Sequence, residues 1–525
     1  MASDTMLFGG ILELLAFLPS TFIFPMKKVL LPWLVLMFLI VSGAYLRFSN
    51  IGAPSLWIDE GFTITQTNAI AQHGYPLLKS GFVEKKDILL PYLLAPFSAK
   101  WSVFDPALPR SIVAVFGVAL IFIAFLIGRT VQGTSLAIVF ASIIAFSYWH
   151  ITWSRQIRGY EPAAFFLLLT IYFLALSTQT RKTIYTRFAV FSIVLATLAK
   201  SFCILFFPSI ILFFFLSSKD TTSRIRSLLP TIIAGSILSS FLFFLFLQGK
   251  SIDHPVYLTS YIFGYLWLSF GILLPLTLFG WVQQLRKSSS WQPFHFALGL
   301  FFIVTLVFFS FFSYAQEGRY LFLTTPLLFL YASLAIISLG ISLPLRRWVG
   351  ILVVLGILIT LDQFTVKSFL LVPRNFFPLE YGTPQPPFRD AYAFLKDQIQ
   401  PDDTLVSSYP FMDILYLGRS TYSIPLSYTG RIDESTIQNK REYYSGTPDL
   451  FAQGKEAGRE KLVKLSQQHS VYIIMDSLAL RRIDSRFISF LQQSGTVVFE
   501  SSAPKSESGQ IFIYRLRKIS SVNSS

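Results

Sequence analysis

Two adjacent carboxylates, Asp59 and Glu60, occur in the stretch SLWIDEGFTIT, just after a long apolar run. A carboxylate on an aromatic and apolar background can act as a general base, because partial desolvation tunes its proton affinity. A solvated loop at a membrane edge is the simpler alternative for such a pair. The sequence therefore predicts Asp59 as a base and Glu60 as its support, provided that cations lie nearby.

A set of charged residues in HITWSRQIRGYEP could supply those cations. Arg155 and Arg158 are three residues apart and would share one face of a helical turn, and Glu161 follows Arg158 by the same spacing. One alternative is a helix-end salt bridge between Arg158 and Glu161. The other is a site for a phosphate together with a second acid, because Arg forms charge-assisted, bidentate bonds to phosphate oxygens.

Other basic and aromatic residues are weaker candidates for a phosphate site. Arg319 and Tyr320 lie at a span boundary in QEGRYLFLTTP, where such residues commonly anchor a helix. Lys85 and Lys86 in GFVEKKD are either solvated loop lysines or phosphate ligands, and Lys200, between two short apolar runs, can snorkel or face a cavity.

The composition is that of a multi-spanning membrane protein. Of 525 residues, 53% are hydrophobic, 55 are Phe and only 14% are charged, which excludes an ordinary soluble domain. A net charge of +15 would suggest nucleic acid in a soluble protein. Here the basic residues lie in short connections between apolar runs, so membrane topology and anionic lipid account for most of them. The single cysteine, Cys203, excludes an intrachain disulfide.

Apolar runs long enough to cross a bilayer recur along the chain. We count about eleven, and up to about thirteen, because runs below ~17 residues are marginal. The predicted spans are 29–48, 111–128, 134–149, 161–178, 186–200, 203–217, 228–248, 257–282, 294–313, 320–341 and 348–366. The short pair 186–200 and 203–217 could also be one broken hairpin.

The distribution of Lys and Arg predicts the orientation of the chain. It places the N-terminus in the cytoplasm and leaves the Asp59 loop, the Arg155–Arg158 segment and the C-terminal region on the outer side of a cell (inner) membrane. The predicted units are an N-terminal cytoplasmic or interfacial segment (1–28), a transmembrane module (29–379) and an outer domain (380–525). The first outer loop, about 50–110, is expected to contain helices that lie along the membrane surface.

The C-terminal region is predicted to be a soluble α/β domain. DTLVSSY, VYIIMDS, GTVVFES and QIFIYRL read as short strands, whereas AYAFLKDQI and LALRRIDSRFISFLQQSG read as helices. Strands that alternate with helices favour a partly parallel sheet.

An acid at a membrane-side cavity opposite arginines suits transfer of a group from a lipid phosphate. The cations would absorb the charge of a departing polyprenyl phosphate, and the base would take a proton from an acceptor hydroxyl. A transporter or lipid flippase is the alternative from another class, but it would place ionisable residues near the middle of spans. A membrane-anchored binding protein, with 380–525 as its working part, is a further alternative.

The sequence resembles the type C glycosyltransferases, the broad family that includes protein O-mannosyltransferases and bacterial lipid A aminoarabinose transferases. WIDEGFTITQTNAIAQHGYPLLKSGF, WSRQIRGYEPAAFF and GRYLFLTTPLLFLY carry the likeness, together with the long first outer loop and the C-terminal outer domain. It covers roughly residues 29–370 and is strongest over 55–165. The C-terminal domain shows no sign of the β-trefoil insertion that eukaryotic mannosyltransferases carry.

The resemblance implies an inverting glycosyltransferase that uses a polyprenyl-phosphate sugar and a lipid, polysaccharide or protein acceptor. It implies Asp59 as the catalytic base, with Glu60 binding acceptor or supporting it. The implied phosphate ligands are Arg158 and Arg319, with Arg155, Lys85 and Lys86 as lesser candidates. Glu161, Tyr160 and Tyr320 are candidates for the acceptor side or a second acidic site. Two neighbouring carboxylates could hold a divalent metal, but family members are not generally thought to need one, so no metal ligand or cofactor is predicted.

Overall fold

The computed structural model describes most of the chain. The described residues are 20–217, 257–287, 290–312, 318–342, 387–424, 445–453, 455–483, 485–501 and 510–517. The predicted spans 228–248 and 348–366 lie outside them, as do residues 1–19 of the predicted N-terminal segment. The first helix begins at Ser20 and includes residues 20–28.

The membrane part is built from helices that are apolar over most of their length. They are α1 (Ser20–Phe48), α4 (Ala107–Gln132), α5 (Thr134–Phe146), α6 (Tyr148–Ser154), α7 (Tyr160–Thr180), α8 (Thr183–Ala199), α9 (Phe207–Ser217), α10 (Leu268–Phe270), α11 (Leu273–Arg286), α12 (Gln292–Phe312) and α13 (Thr325–Ser342). Residues 50–110, predicted as the first outer loop and called the outer loop below, contribute α2 (Ile58–His73) and α3 (Leu89–Leu94). Shorter 3-10 helices cover Ala95–Lys100, Ser201–Phe206 and Gly318–Thr324, and a π-helix covers Ser260–Trp267.

The predicted span count of about eleven is not confirmed. Among the described residues, five helices are long and apolar enough to cross a membrane, or six if the bent pair α5–α6 is one span. The predicted spans 186–200 and 203–217 correspond to helices below that length. The predicted span 257–282 is divided at Gly271, whose φ of 44° ends α10.

Two arginines satisfy backbone carbonyls at the end of α1 and at the bend between α5 and α6, where the helix axes meet at 57°. The buried Arg47 guanidinium donates to the carbonyls of Ile144 and Ala145, which end α5. Arg155 in turn donates to the carbonyls of Leu46 and of Arg47 at the end of α1. Because helix ends leave carbonyls without intrahelical partners, this exchange stabilises both ends inside the protein.

The C-terminal region folds around a five-stranded mixed sheet of order β2-β1-β3-β5-β4. Its strands are β1 (Thr404–Ser407), β2 (Tyr422–Ser423), β3 (Val471–Asp476), β4 (Gly495–Glu500) and β5 (Ile511–Leu516). β1 pairs parallel with both β2 and β3, whereas β5 pairs antiparallel with β3 and β4. The partly parallel sheet agrees with the strands predicted from the sequence, although the two-residue β2 was not predicted.

The helices of this region are α14 (Phe388–Gln398), α15 (Pro410–Leu417), α16 (Lys455–Gln468), α17 (Ser477–Arg482) and α18 (Ser485–Ser494). The sequence predicted a single helix over 478–495, which was wrong. The structure divides it at Ile483, whose backbone is extended. The first half starts where it does because the Asp476 carboxylate accepts a hydrogen bond from the Ala479 amide at 2.7 Å.

The outer loop and the C-terminal region share one hydrophobic core. Residues from both parts are buried in it, and Val113 of α4 and Ile157 before α7 join them. The others include Leu56, Ile64, Leu90 and Leu94 of the outer loop and Phe388, Leu405, Met412, Ile473 and Ile513 of the C-terminal region. The C-terminal region is therefore packed onto the rest of the described chain and is not a separate appendage.

A glycine allows α2 and α15 to approach closely. A Cβ atom on Gly61 would lie 2.5 Å from Met412 Sδ and 2.9 Å from the Phe411 ring. Next to it, the Phe62 and Phe411 rings stack with centroids 4.2 Å apart. The helix that carries Asp59 is thus held against α15 with no room for a larger residue.

Gly61→Ala is expected to lower the thermal stability of the purified protein. Alanine gains about 1 kcal/mol of helix propensity over glycine, but overpacking typically costs about 1–3 kcal/mol. The matched control is Gly264→Ala, since a Cβ there meets nothing within 4 Å. The measurement is thermal unfolding in detergent. Equal unfolding temperatures for the two variants would contradict the close approach.

Candidate functional site

Asp59 lies in the first turn of α2 and pairs with two arginines from distant parts of the chain. Its Oδ2 atom lies 2.6 Å from Arg319 Nη1 and 3.4 Å from Arg158 Nη2. The three side chains are only 16–19% exposed. Asp59, Arg158 and Arg319 were all selected from the sequence as site residues, and the structure brings them together.

Both arginines are fixed by further contacts. Arg158 Nη1 donates to the backbone carbonyl of Asp59 at 2.9 Å and to Thr63 Oγ1 at 3.2 Å, both on α2. The Arg319 guanidinium lies over the Trp57 ring, 5.3 Å from its centroid, as in a cation–π contact. The cations are therefore held on the helix that carries the acid.

The charges around Asp59 keep it ionised. Burial alone would raise the pKa of its carboxyl, but the positive charges of Arg158, Arg319 and Lys200 outweigh that effect and hold the pKa below its usual range. In the form described here, the nearby cations thus balance the negative charge of the Asp59 carboxylate, which makes it a weak base.

Glu60, its neighbour, is directed away from this cluster and is completely buried. Arg110 Nε donates to Oε1 at 2.9 Å and Arg110 Nη2 to Oε2 at 2.7 Å, which makes a bidentate pair. The amide of Trp57 donates to Oε2 and that of Ile157 to Oε1, each at 2.9 Å. Both oxygens are therefore occupied by protein donors, and Asp59 and Glu60 do not form a common carboxylate site.

Glu161 is also completely buried, and its partner is His150. His150 Nδ1 lies 3.2 and 3.3 Å from the two Glu161 oxygens, and Nε2 lies 3.2 Å from Thr325 Oγ1. These contacts of His150 thus connect α6 and α7 to the start of α13. The alternative in which Arg158 pairs with Glu161 is wrong, because Arg158 reaches across to Asp59 instead.

A second ion pair lies beside the first. Lys200 pairs with Asp87 of the outer loop, and Asp87 also accepts the Ser201 amide at 2.8 Å. The ammonium lies 4.8 Å from the centroid of the Tyr160 ring. Although burial opposes it, Lys200 holds the pKa of the Asp87 carboxyl below its usual range.

Gly159 lets this second pair come close to the first. A Cβ atom on Gly159 would lie 2.0 Å from the carbonyl oxygen of Ala199, directly before Lys200. The backbone between Arg158 and Tyr160 therefore packs directly on the end of α8.

The remaining predicted residues lie in other surroundings. Arg155 contacts the carbonyls at the end of α1, so the structure does not support it as a phosphate ligand. Lys85 and Lys86 have exposed side chains, while their amides donate to Glu84 Oε1. Tyr320 is buried and stacks on Phe309, with centroids 5.0 Å apart.

Several residues of the site escaped sequence reasoning. Arg110 begins an apolar run, where an arginine is normally interpreted as an interfacial anchor. Asp87 follows two lysines, and His150 has no partner nearby in sequence other than Glu161. Only Lys200 gave a signal, as a lone charge between two apolar runs. Among the described residues, no group of three or more His, Cys, Asp or Glu side chains could hold a metal ion.

Residues 97–247 match the family model described as dolichyl-phosphate-mannose-protein mannosyltransferase. The matched range includes Arg110, Arg158 and Glu161, but it ends before Arg319 and begins after Asp59. A comparison with curated protein sequences finds no significant match.

Solved structures match over almost the whole chain. ArnT from Cupriavidus metallidurans in the apo state has a TM-score of 0.60 at 12% identity, covering 91% of this chain and 97% of that one. The same protein bound to undecaprenyl phosphate gives 0.59 at 12% identity, with 93% and 98% covered. The archaeal oligosaccharyltransferase AglB from Archaeoglobus fulgidus, in complex with an inhibitory peptide and a dolichol-phosphate, gives 0.56 at 12% identity, with 93% and 74% covered. Both comparisons agree with the resemblance inferred from the motifs, and the chain has the fold of ArnT and AglB.

Proposed function

We propose that this protein is a membrane glycosyltransferase that moves a sugar from a polyprenyl phosphate to an acceptor at the outer face of the membrane. The observation that carries the proposal is the Asp59 carboxylate held between Arg158 and Arg319. A base and two phosphate-binding cations lie within one cluster, next to helices apolar enough to cross a membrane. The sugar and the acceptor, whether lipid, polysaccharide or protein, are left open.

The reaction is a single displacement with inversion. The acceptor hydroxyl oxygen attacks the anomeric carbon and forms the new glycosidic bond, while the bond from that carbon to the phosphate oxygen breaks. Asp59 takes the hydroxyl proton as general base, and the polyprenyl phosphate leaves with the bonding electron pair. Arg158 and Arg319 stabilise the negative charge that develops on the leaving oxygen.

Donor binding would also activate the base. In the form described here, the two guanidinium groups neutralise Asp59 and hold the pKa of its carboxyl low. A phosphate that draws hydrogen bonds from Arg158 and Arg319 weakens their hold on Asp59, so the pKa of the carboxyl rises and the base becomes stronger. Lys200, which also lowers the pKa of Asp59, is a third cation within reach of this exchange.

The known structures support the choice of donor. ArnT is described with undecaprenyl phosphate and AglB with a dolichol-phosphate, so proteins of this fold take polyprenyl phosphates. A lipid carrier reaches the site laterally through the bilayer, which agrees with a site built between apolar helices and an outer loop. We accordingly assign 29–379 as the transferase module and 380–525 as an outer domain, with the N-terminus in the cytoplasm.

The other predicted site residues receive positioning roles in this proposal. Glu60 fixes the start of α2, and Glu161 with His150 fixes the turn that carries Arg158. Tyr160 lies beneath the Lys200 ammonium and orients it. Tyr320 packs beside Arg319 and supports it from within the core.

Asp59→Asn is expected to abolish transfer while leaving donor binding intact. Loss of a general base typically lowers the rate by about 10²–10⁴-fold. The assay follows radiolabelled polyprenyl-phosphate sugars into membrane acceptors, and binding of undecaprenyl phosphate is measured on the purified protein. Asp402→Asn, the same change at an exposed acid of the C-terminal region, is the control. Undiminished transfer by Asp59→Asn would sink the assignment of the base.

Arg319→Ala is expected to weaken undecaprenyl phosphate binding about 10–100-fold, since hydrogen bonds to charged groups are worth about 1.5–3 kcal/mol. It should also change the pH dependence of transfer. Removing a positive charge raises the pKa of Asp59, and a protonated Asp59 is inactive, so the rate falls at a higher pH than in the wild type. Arg517→Ala, at an exposed arginine directly after β5, should change neither property. If the rate of transfer falls at the same acidic pH in Arg319→Ala as in the wild type, Arg319 does not control the pKa of Asp59.

Glu60→Gln is expected to act on stability more than on chemistry. It leaves the buried Arg110 charge unbalanced, and breaking such a pair costs about 3–5 kcal/mol. The control is Glu456→Gln, which removes an ion pair whose acid is 72% exposed and should cost at most about 1 kcal/mol. Thermal unfolding and transfer are measured together. A Glu60→Gln protein that unfolds like the wild type but transfers no sugar would place Glu60 in the chemistry instead.

A further inference from the structure

Arg389, at the start of α14, holds the backbone segment that leads into the Asp59 helix. Its Nη2 atom donates to the carbonyls of Gly52 at 2.7 Å and Pro54 at 3.1 Å, and Nη1 donates to that of Ala53 at 3.0 Å. Its own amide donates to Ser55 Oγ at 3.1 Å. A single residue of the C-terminal region thus contacts four consecutive residues of the outer loop.

Arg110 holds the same segment from the membrane side. It donates to the carbonyls of Ile51 at 3.0 Å, Pro54 at 2.8 Å and Ser55 at 2.9 Å, while it also pairs with Glu60. Residues 51–55 therefore lie between two guanidinium groups, one from each part of the protein. Because this segment belongs to no helix or strand, these donors replace the missing ladder of backbone hydrogen bonds.

The same two parts of the protein also meet along α2 itself. The stacked rings of Phe62 and Phe411 lie one turn beyond Asp59. The N-terminal approach and one face of the helix are thus both set by the C-terminal region. The direction of the helix then decides where the Asp59 carboxylate meets Arg158 and Arg319.

We propose that Arg389 is a positioning residue for Asp59, so that the C-terminal region is part of the catalytic framework and not an independent binding module. The consequence for transfer rests on the function proposed above, whereas the placement of Asp59 does not. Arg389 acts through its planar guanidinium group, which donates hydrogen bonds to several carbonyls at once. Lysine has a point charge on a flexible stem and cannot reproduce that grip.

The test compares three variants of the full-length protein in lipid nanodiscs: Arg389→Ala, Arg389→Lys and the control Arg419→Ala. Arg419 also donates to backbone carbonyls, those of Gln400 and Pro401, but both lie within the C-terminal region. The readout is the labelling of Asp59 by a carbodiimide and an amine, followed by mass spectrometry across a pH series. Only a protonated carboxyl reacts readily, so the pH midpoint of labelling reports how strongly the arginines hold Asp59.

We expect the labelling midpoint of Asp59 to move to higher pH in Arg389→Ala, to move less in Arg389→Lys and to stay in place in Arg419→Ala. Loosening the contact with Arg158 and Arg319 removes the charges that favour the ionised form. Transfer should fall on the order of tenfold to a hundredfold in Arg389→Ala through kcat, since small displacements of a reacting group have large effects.

An Asp59 midpoint that is the same in Arg389→Ala as in the wild type overturns the proposal, even if the unfolding temperature falls, because the role is then structural only. Equal shifts in Arg389→Ala and Arg419→Ala overturn it as well, since they indicate general loosening of the region. If Arg389→Ala does not fold, the Lys variant decides by the same criterion. If the wild-type protein transfers no sugar, a shifted midpoint in Arg389→Ala would still support the placement of Asp59, whereas the missing transfer would contradict the proposed function.

Discussion

The buried ion pair between Glu60 and Arg110 is the contact on which the rest of the site depends. Both oxygens of Glu60 are bonded, and the pair joins the start of α2, the membrane helix α4 and the turn at Ile157. A charge pair in a low-dielectric interior is weakly stabilising overall, but removing one partner is severe because the other charge stays buried. The pair therefore favours one arrangement of these three elements, because any arrangement that separates the two charges is much higher in free energy. Asp59 and Arg158 each lie one residue away from a bonded member of this network.

The cluster of charged residues around Asp59 differs from the Glu60–Arg110 pair, because its positive and negative charges do not balance. Two carboxylates, Asp59 and Asp87, face three cations, Arg158, Arg319 and Lys200. An excess of one positive charge in a partly desolvated site favours an anion, and guanidinium groups match the oxygens of a phosphate. Glu60 and Arg110 give rigidity, whereas the residues around Asp59 keep partial exposure and exchangeable partners. This division explains why two adjacent acids of the same chain have different roles.

The packing of the C-terminal region against α2 also helps to fix the positions of Asp59 and Glu60. Its buried residues form one core with those of the outer loop, and Gly61 and Phe62 of α2 contact α15 directly. A helix supported on one side by the membrane bundle and on the other by a folded sheet has little freedom to move its first turn. The two acids in the first turn of α2 thus acquire defined positions without lying in the membrane bundle itself.

The sequence alone determined the class of protein, because 53% hydrophobic residues in long runs require a lipid environment. It also identified Asp59, Arg158 and Arg319, since charges next to apolar runs are costly and stand out. Short runs rich in β-branched and aromatic residues predicted four of the five strands of the described sheet. The sequence missed β2 and the helices α15 and α16, which are short or polar and lack a strong period. The choice of partners was decided by tertiary structure. Arg158 pairs with Asp59 and not with the nearby Glu161, and Glu60 pairs with Arg110, because long side chains join whichever elements the packing of the core brings within reach, whatever their separation in sequence.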